Sequence, residues 1–315
     1  MGRSKQSGQN AADIAELLRC PVTHAPVHVS ETGDLSIGDT PVQTVGDQPV
    51  LVNFAQSILD REILLTHGAT SLVANRRQGR PWWKRLMLGE NRITPASAAE
   101  LVEMVSAQSE TPTILIIGGG TVSDGAQILY DAPNLRVVSF DVYASPHTDF
   151  VADAHHIPIL DQVVDAVWIE AVLEHVLTPA EVVDEIWRVL KPDGIVYAAT
   201  PFLQPVHERA YDFTRFSESG HRWLFRRFDE IDRGVLAGPG TALFQQLRYA
   251  FGAVAGSRRI GSLLAAPFFW LRFIDRLAAR DHGSDAASAT FFMGRKSERT
   301  LSPKDMPALF RGVRK

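Results

Sequence analysis

The stretch Ile114-Leu115-Ile116-Ile117-Gly118-Gly119-Gly120-Thr121-Val122-Ser123-Asp124-Gly125 decides how the rest of this chain is read. The four apolar residues make a short buried strand. Three glycines and a polar turn follow, and a helical pattern starts at about Ala126. A strand that runs through glycines into a helix opens a nucleotide-binding α/β unit. The reason is steric: without a Cβ the backbone can turn sharply and approach a ligand closely. The helix that follows aims unbonded N–H groups back at the ligand. A tight turn in any parallel sheet also uses glycines, so the weight falls on what comes downstream, and in what order.

Downstream, Leu135 to Asp141 reads as a second strand ending in an acid. Asp141 lies about 20 residues beyond the glycines, where such folds place an acid on ribose hydroxyls. A carboxylate accepts two hydrogen bonds and so can both hold and orient a vicinal diol. A short third strand ends at Asp153, followed by Ala154, His155 and His156. Val163 to Ile169 is apolar enough for the centre of a parallel sheet, and Glu170 stands at its carboxyl end, where open α/β sheets bind ligands. A helix over Pro179–Leu190, a turn at Lys191–Gly194 and a strand over Ile195–Thr200 complete the series. Upstream, Thr94-Pro95 starts a helix to about Ala107. A last strand is expected at Thr290–Gly294.

Taken in order, Gly118-Gly119-Gly120, Asp141, Val151-Ala152-Asp153-Ala154, Val164-Asp165-Ala166-Val167, Leu173-Glu174-His175-Val176 and Arg188-Val189-Leu190-Lys191-Pro192-Asp193-Gly194 resemble a class I S-adenosylmethionine-dependent methyltransferase of the type 11 group. The resemblance covers about residues 111–225 and implies a Rossmann-like α/β fold: a mostly parallel seven-stranded sheet with helices on both faces. It also implies roles. S-adenosyl-L-methionine is the expected cofactor, with Gly118, Gly119 and Gly120 along its methionine part and Asp141 and Val142 at the ribose. Asp153 and Ala154 would meet the adenine, and Glu170 the methionine end and the substrate. Two departures stand out: Ile116 occupies a position where the family carries an acid, and Val122 one where it often has a third glycine. A dinucleotide dehydrogenase pattern, Gly-x-Gly-x-x-Gly, would need a glycine where this chain has Ser123.

Methyl transfer is an in-line attack on a sulfonium carbon, so the protein has mainly to align the two reactants and exclude water. A general base is needed only where the nucleophile must lose a proton. The loop Thr200 to Phe216 is dense in His, acids, Arg and aromatics. There His207 is the expected base, with Asp212 and Arg215 positioning it or the substrate; a plain Asp212–Arg215 ion pair is the structural alternative. His175 reads as a structural residue at a helix start, and His155 and His156 as surface residues.

The 315 residues carry a net charge of −4, which argues against a dedicated nucleic-acid binder. A single cysteine, Cys20, a polar N-terminus and the lack of a long apolar run give the expectation of a cytoplasmic protein. Residues 1–11 read as a disordered tail and 12–56 as a small β-rich module in which Asp13 caps a short helix over Ile14–Leu18. With Leu17 to Pro21 and Thr44 to Leu51, this module resembles the zinc ribbon fused to or partnered with methyltransferases. Cys20, His24 and His28 supply at most three ligands, so a metal-free remnant is expected. Residues 57–110 read as a helical linker with a basic, Trp-containing interruption at Arg76–Arg85. Residues 111–297 form the methyltransferase domain, in which Gly234–Gly240 reads as a loop. An apolar, Arg-studded helical insertion spans 241–280, with its apolar run over 243–277. It reads first as helices packed on the core, with a substrate roof, a dimer face or a peripheral membrane contact as alternatives. Residues 298–315 read as a loose basic tail. The expected activity is methylation, at oxygen, of a small-molecule or lipid- or sugar-linked acceptor. The alternatives are a non-catalytic scaffold of the same fold and an NAD-dependent oxidoreductase.

Overall fold

The structure is a computed structural model that describes residues 13–31, 33–68, 92–123, 125–278 and 282–313. The first eleven residues and the Arg76–Arg85 segment lie outside them.

Five short strands come first: β1 (His28–Val29), β2 (Leu35–Ile37), β3 (Thr40–Pro41), β4 (Thr44–Val45) and β5 (Gln48–Pro49). They pair as an antiparallel β1-β2-β3 sheet and a β4-β5 hairpin. Gly38 and Gly46, at φ 57° and 59°, make the two tight turns. Helices α1 (Arg61–His67) and α2 (Ile93–Ser106) lead to the main sheet.

The main sheet has seven strands: β6 (Thr113–Ile117), β7 (Arg136–Asp141), β8 (Phe150–Val151), β9 (Val164–Glu170), β10 (Leu190–Pro201), β11 (Phe228–Ala237) and β12 (Ala289–Lys296). Their order is β11-β12-β10-β9-β6-β7-β8. Strands β8, β7, β6, β9 and β10 run parallel, while β12 is antiparallel to both β10 and β11. The expected mostly parallel seven-stranded sheet is what forms. The chain builds outward from β6 to β8 and then returns to place β9 on the other side of β6. That reversal opens a crevice at the carboxyl ends of β6 and β9, where α/β sheets bind ligands.

Alternation along the strands sends side chains to two cores. Leu115, Ile117, Val138 and Phe140 face one layer, with α4 (Pro179–Val189) and α5 (Glu218–Leu224). Ile114, Ile116, Trp168 and Tyr197 face the other, with α2 and α3 (Gln127–Asp131). There Trp168 and Tyr197 stack at 3.8 Å.

The N-terminal module is not a separate body. Ile14, Leu17, Leu18, Val27, Leu35 and Leu51 belong to the same core cluster as the sheet. Val50 bridges Val151 in parallel, and the Leu51 N–H donates to the Val151 carbonyl at 2.8 Å. Gln48 donates to the Thr148 carbonyl at 2.8 Å and accepts from the Thr148 hydroxyl at 2.6 Å. The module therefore lies along the β8 edge.

Four local expectations are corrected. Asp13 caps nothing: the first turn is a 3-10 helix over Ala15–Leu17 with no side-chain cap, because it is pinned by its apolar contacts instead. Lys191–Gly194, with Asp193 at φ 63°, turns where expected, but inside β10: the pairing with β9 passes from Leu190 to Ile195, so the strand begins at Leu190 rather than after the turn. Gly234 to Ala237 belongs to β11, in which Glu230 and Arg233 are held in ion pairs. The tail is not loose where it is described, since Leu301 N–H donates to the Arg226 carbonyl at 2.9 Å and Arg311 pairs with Glu230 at 2.7 Å.

The apolar insertion folds as α6 (Pro239–Ala255), α7 (Arg258–Ala265) and a 3-10 helix over Ala266–Arg276. Ser217 caps α5 as its sequence suggests, accepting from Gly220 N–H at 3.2 Å. Among the described residues no helix is long and apolar enough to cross a membrane.

Candidate functional site

The glycine turn sits at the head of β6. The N–H groups of Gly118 and Gly119 both reach the Phe140 carbonyl at 3.0 Å, which folds the turn against β7. Gly118 has φ 78°, and a Cβ there would collide with Val172. A Cβ on Gly120 would meet the Tyr143 ring and lie 2.6 Å from an Asp141 oxygen. The turn is therefore a cradle that only glycine backbone can line.

Asp141 ends β7 and faces that cradle. Its oxygens accept from Gly120 N–H at 2.8 Å and from Val142 N–H at 2.7 Å. Burial pushes its pKa up to about 6 against these two bonds. Val142 follows in the turn with its side chain exposed, while Tyr143 is buried beside Gly120. Glu170 ends β9 across the crevice and accepts from the Ser123 hydroxyl at 3.0 Å. Burial raises its pKa as well. Ala171, immediately after it, is held at φ 55°, a costly backbone for a residue with a Cβ, and this turn swings the chain out over the site. Ile116 is buried in the apolar layer with Trp168, so the position where the resemblance implies an acid lies within a dry core face. Gly118–Gly120, Asp141 and Glu170 thus stand at the carboxyl ends of β6, β7 and β9, with Asp141 bonded to the glycine turn and Glu170 to Ser123 just beyond it.

Asp153 and Ala154 stand differently. Ala154 is buried and begins a 3-10 turn over Ala154–His156. Asp153 is buried, with one oxygen taking the Ser57 hydroxyl at 2.5 Å and the other the His155 N–H at 3.0 Å and ring Nδ1 at 2.6 Å. Burial works to raise its pKa, but these bonds hold it below the ordinary carboxylate range. The carboxylate expected at an adenine amino group is consumed by the module's Ser57 and by His155. His155 is correspondingly no surface residue, because its ring closes on that acid.

The loop after β10 gathers a second group. Arg215 clasps Asp212 with both terminal nitrogens, one at 2.7 Å, and donates to the Gln204 carbonyl at 3.0 Å. Asp212 also accepts the His207 N–H at 2.9 Å and lies 3.3 Å from His207 Nδ1. The ion pair and the positioning of His207 are one arrangement. His207 Nε2 faces His175 Nε2 at 3.2 Å, and both lie 3.6 Å from the same oxygen of Glu174. His175 is not a helix-start residue, since α4 begins at Pro179 and His175 sits in the turn before it, ring toward the loop. Its Nδ1 is 2.7 Å from the Tyr211 carbonyl. Glu174 is fully buried and among the described residues has no hydrogen-bond partner at either oxygen, and burial pushes its pKa up to about 8. Burial and His175 together push His207 down to about 4. Glu174 and His175 are the site residues that sequence reading passed over. Their signal is an acid–histidine pair a few residues beyond the end of the central strand.

Residues 128–198 match the family model described as a methyltransferase domain. That match begins after the glycine turn and ends before the His207 loop. No curated protein sequence matches. Similar solved structures include the Haemonchus contortus phosphoethanolamine N-methyltransferase 2 in complex with S-adenosyl-L-methionine, at 15% identity and TM-score 0.45, covering 77% of this chain and 61% of that one. Another is the Burkholderia thailandensis 1,6-didemethyltoxoflavin-N1-methyltransferase, at 14% identity and TM-score 0.42, covering 70% and 83%.

Proposed function

From a chain that carries a methyltransferase domain of the class I fold, we propose that it uses S-adenosyl-L-methionine to methylate the oxygen of a small or lipid- or sugar-linked acceptor. The observation that carries this reading is Asp141 at the end of β7, bonded to the amide of a glycine turn that tolerates no side chain. Gly118 to Gly120 would line the aminoacyl arm of the bound cofactor, and Asp141 would accept from the ribose hydroxyls. Glu170 supplies the negative charge that Ile116 does not. Val142 would stand with Asp141 at the ribose, while Ala154 and Asp153, which holds the module through Ser57, would shape the adenine end.

The cofactor, when bound, supplies an electrophilic methyl group. The chain's own residues align the acceptor and take up its proton. A hydroxyl loses a proton as it is methylated, and the Glu174–His175–His207 cluster, held in place by Asp212 and Arg215, lies on the acceptor side to receive it. Insertion helix α6 is tied to this loop by Gln246, which donates to the Leu203 carbonyl at 3.1 Å, and by the Tyr249 hydroxyl, which donates to the Val206 carbonyl at 3.0 Å. The outer face of the insertion exposes Val254, Leu263 and Trp270, with Arg258, Arg259 and Arg276 in the same segment. Apolar side chains among cations suit an anionic membrane surface. A peripheral contact there would bring a lipid-linked acceptor to the loop.

Calorimetric titration with S-adenosylmethionine and its demethylated product, beside Asp141→Ala, tests the reading. Micromolar binding lost in the variant supports it, and no binding at millimolar ligand overturns it. Co-flotation with phosphatidylserine vesicles, lost in Leu263→Glu, tests the surface contact.

A further inference from the structure

Glu174, His175 and His207 come from two stretches of chain that are 32 residues apart at the histidines, yet their tips meet. The separations, 3.2 Å between the two Nε2 atoms and 3.6 Å from each to Glu174 Oε1, make a nearly equilateral triangle. By plane geometry the point equidistant from the three atoms lies about 2.0 Å from each, the length of a zinc–imidazole or zinc–carboxylate bond.

The hydrogen bonds behind the rings fix what faces that point. A carbonyl only accepts, so His175 Nδ1, 2.7 Å from the Tyr211 carbonyl, carries the hydrogen and Nε2 is a bare lone pair. His207 Nδ1 is turned to Asp212, at 3.3 Å, and to the Gln204 side-chain amide, at 3.4 Å, so that Nε2 is the ring atom facing the point. Such partners behind an imidazole are what orient metal-binding histidines. Three potential ligand atoms therefore converge, one of them on a carboxyl group out of contact with water. A proton shared between the imidazoles would satisfy two of them and leave both Glu174 oxygens without a partner, which is costly when buried. Arg215 does not help, for its nitrogens are spent on Asp212 and on the Gln204 and Thr214 carbonyls. A cation satisfies all three ligand atoms at once.

We propose that Glu174, His175 and His207 bind a divalent transition-metal ion, zinc foremost, with a coordination position left open. Two imidazoles and one carboxylate suit zinc and its neighbours; magnesium and calcium prefer all-oxygen shells. The side chains of His175 and His207 are 20% and 17% exposed and Glu174 only 1%, so the open position is on the imidazole side, toward the loop. Resting on the methyl-transfer reading, that position would take the acceptor oxygen, and the ion would lower the hydroxyl's pKa so that its proton leaves to solvent on the exposed loop side, in place of uptake by the imidazoles.

The test is metal binding by the full chain without cofactor, so it can be read whether or not methyl transfer is the activity. Chelator-stripped protein is titrated with Co2+ alone, followed by visible absorption, and then with Zn2+ as competitor. The expected result is one Co2+ per chain, displaced by Zn2+. Affinity should fall at least about a hundredfold in His175→Ala and His207→Ala, and be unchanged in Cys20→Ser. Glu174→Gln keeps the side-chain volume, and its folding is checked by circular dichroism. It should still weaken Co2+ while retaining the native spectrum. Absence of a saturable Co2+ band, binding indifferent to both histidine variants, or binding lost in Cys20→Ser would overturn the proposal.

Discussion

At the residue scale, Asp141 has a consequence for pH. Burial places its pKa at about 6, and the ribose needs the ionised carboxylate as a two-fold acceptor. Cofactor affinity should be level above neutrality and fall as pH drops through 6, approaching about tenfold per unit below it. Calorimetry at pH 7.5 and 5 measures this, and Asp141→Asn should bind weakly with no such slope. Gly120→Ala should abolish cofactor binding in a chain that still folds, because the added methyl meets Tyr143 and Asp141 in the cradle. Retained affinity in that variant would remove the cradle from the account. The glycines, Asp141 and Glu170 are legible in sequence because each sits at a strand end, and apolar runs reveal strand ends. The meeting of Glu174 and His175 with His207 is not, since it depends on how the loop after β10 folds back, with the Phe213 and Thr214 N–H groups both donating to the Glu174 carbonyl. No spacing encodes that return.

Among the elements, β11 is the one that a hydrophobicity reading turns into loop. Its residues Asp229, Glu230, Asp232 and Arg233 break the apolar alternation. The structure explains their presence: Arg233 is buried and pairs with Glu218 of α5 at 2.7 Å and with Glu230 at 2.9 Å. Removing one partner of a buried pair strands the other charge. Arg233→Ala should therefore lower unfolding free energy by about 3–5 kcal/mol, measured by urea denaturation. A loss comparable to that of an exposed pair, under about 1 kcal/mol, would contradict the burial of this network. Strands β6, β9, β10 and β12 were readable because they are central and apolar on both faces. Strand β11 is an edge strand on which Glu230 and Arg233 are held by ion pairs, and a one-dimensional pattern does not record pairing.

For the molecule as a whole, His221 gives an acid limit to stability. It lies buried among Phe216, Phe225 and Phe292, and burial pushes its pKa down to about 3. In the unfolded chain it titrates near 6.5, so its contribution is complete above that pH and is lost as pH falls, by about 1.4 kcal/mol per unit. Between pH 6.5 and 5 that is a loss of about 2 kcal/mol, which His221→Phe should remove from the pH dependence of chemical denaturation. An equal slope in the variant would place the acid sensitivity elsewhere. The sequence suggests the N-terminal module as a unit of its own, but its Leu18 and Leu51 lie in the core of the sheet. A chain starting at residue 57 should accordingly fail to reach the native far-UV and melting behaviour.

The pairing of Val50 and Leu51 with Val151 carries a further meaning. A sheet that ended at β8 would offer its last row of amides and carbonyls to any passing strand, including that of another copy. The module takes that row for itself, and so works as a guard against self-templating at this end of the sheet. Weakening its grip, for example with Gln48→Ala, should show first as concentration-dependent light scattering on mild heating, before any loss of the cofactor crevice.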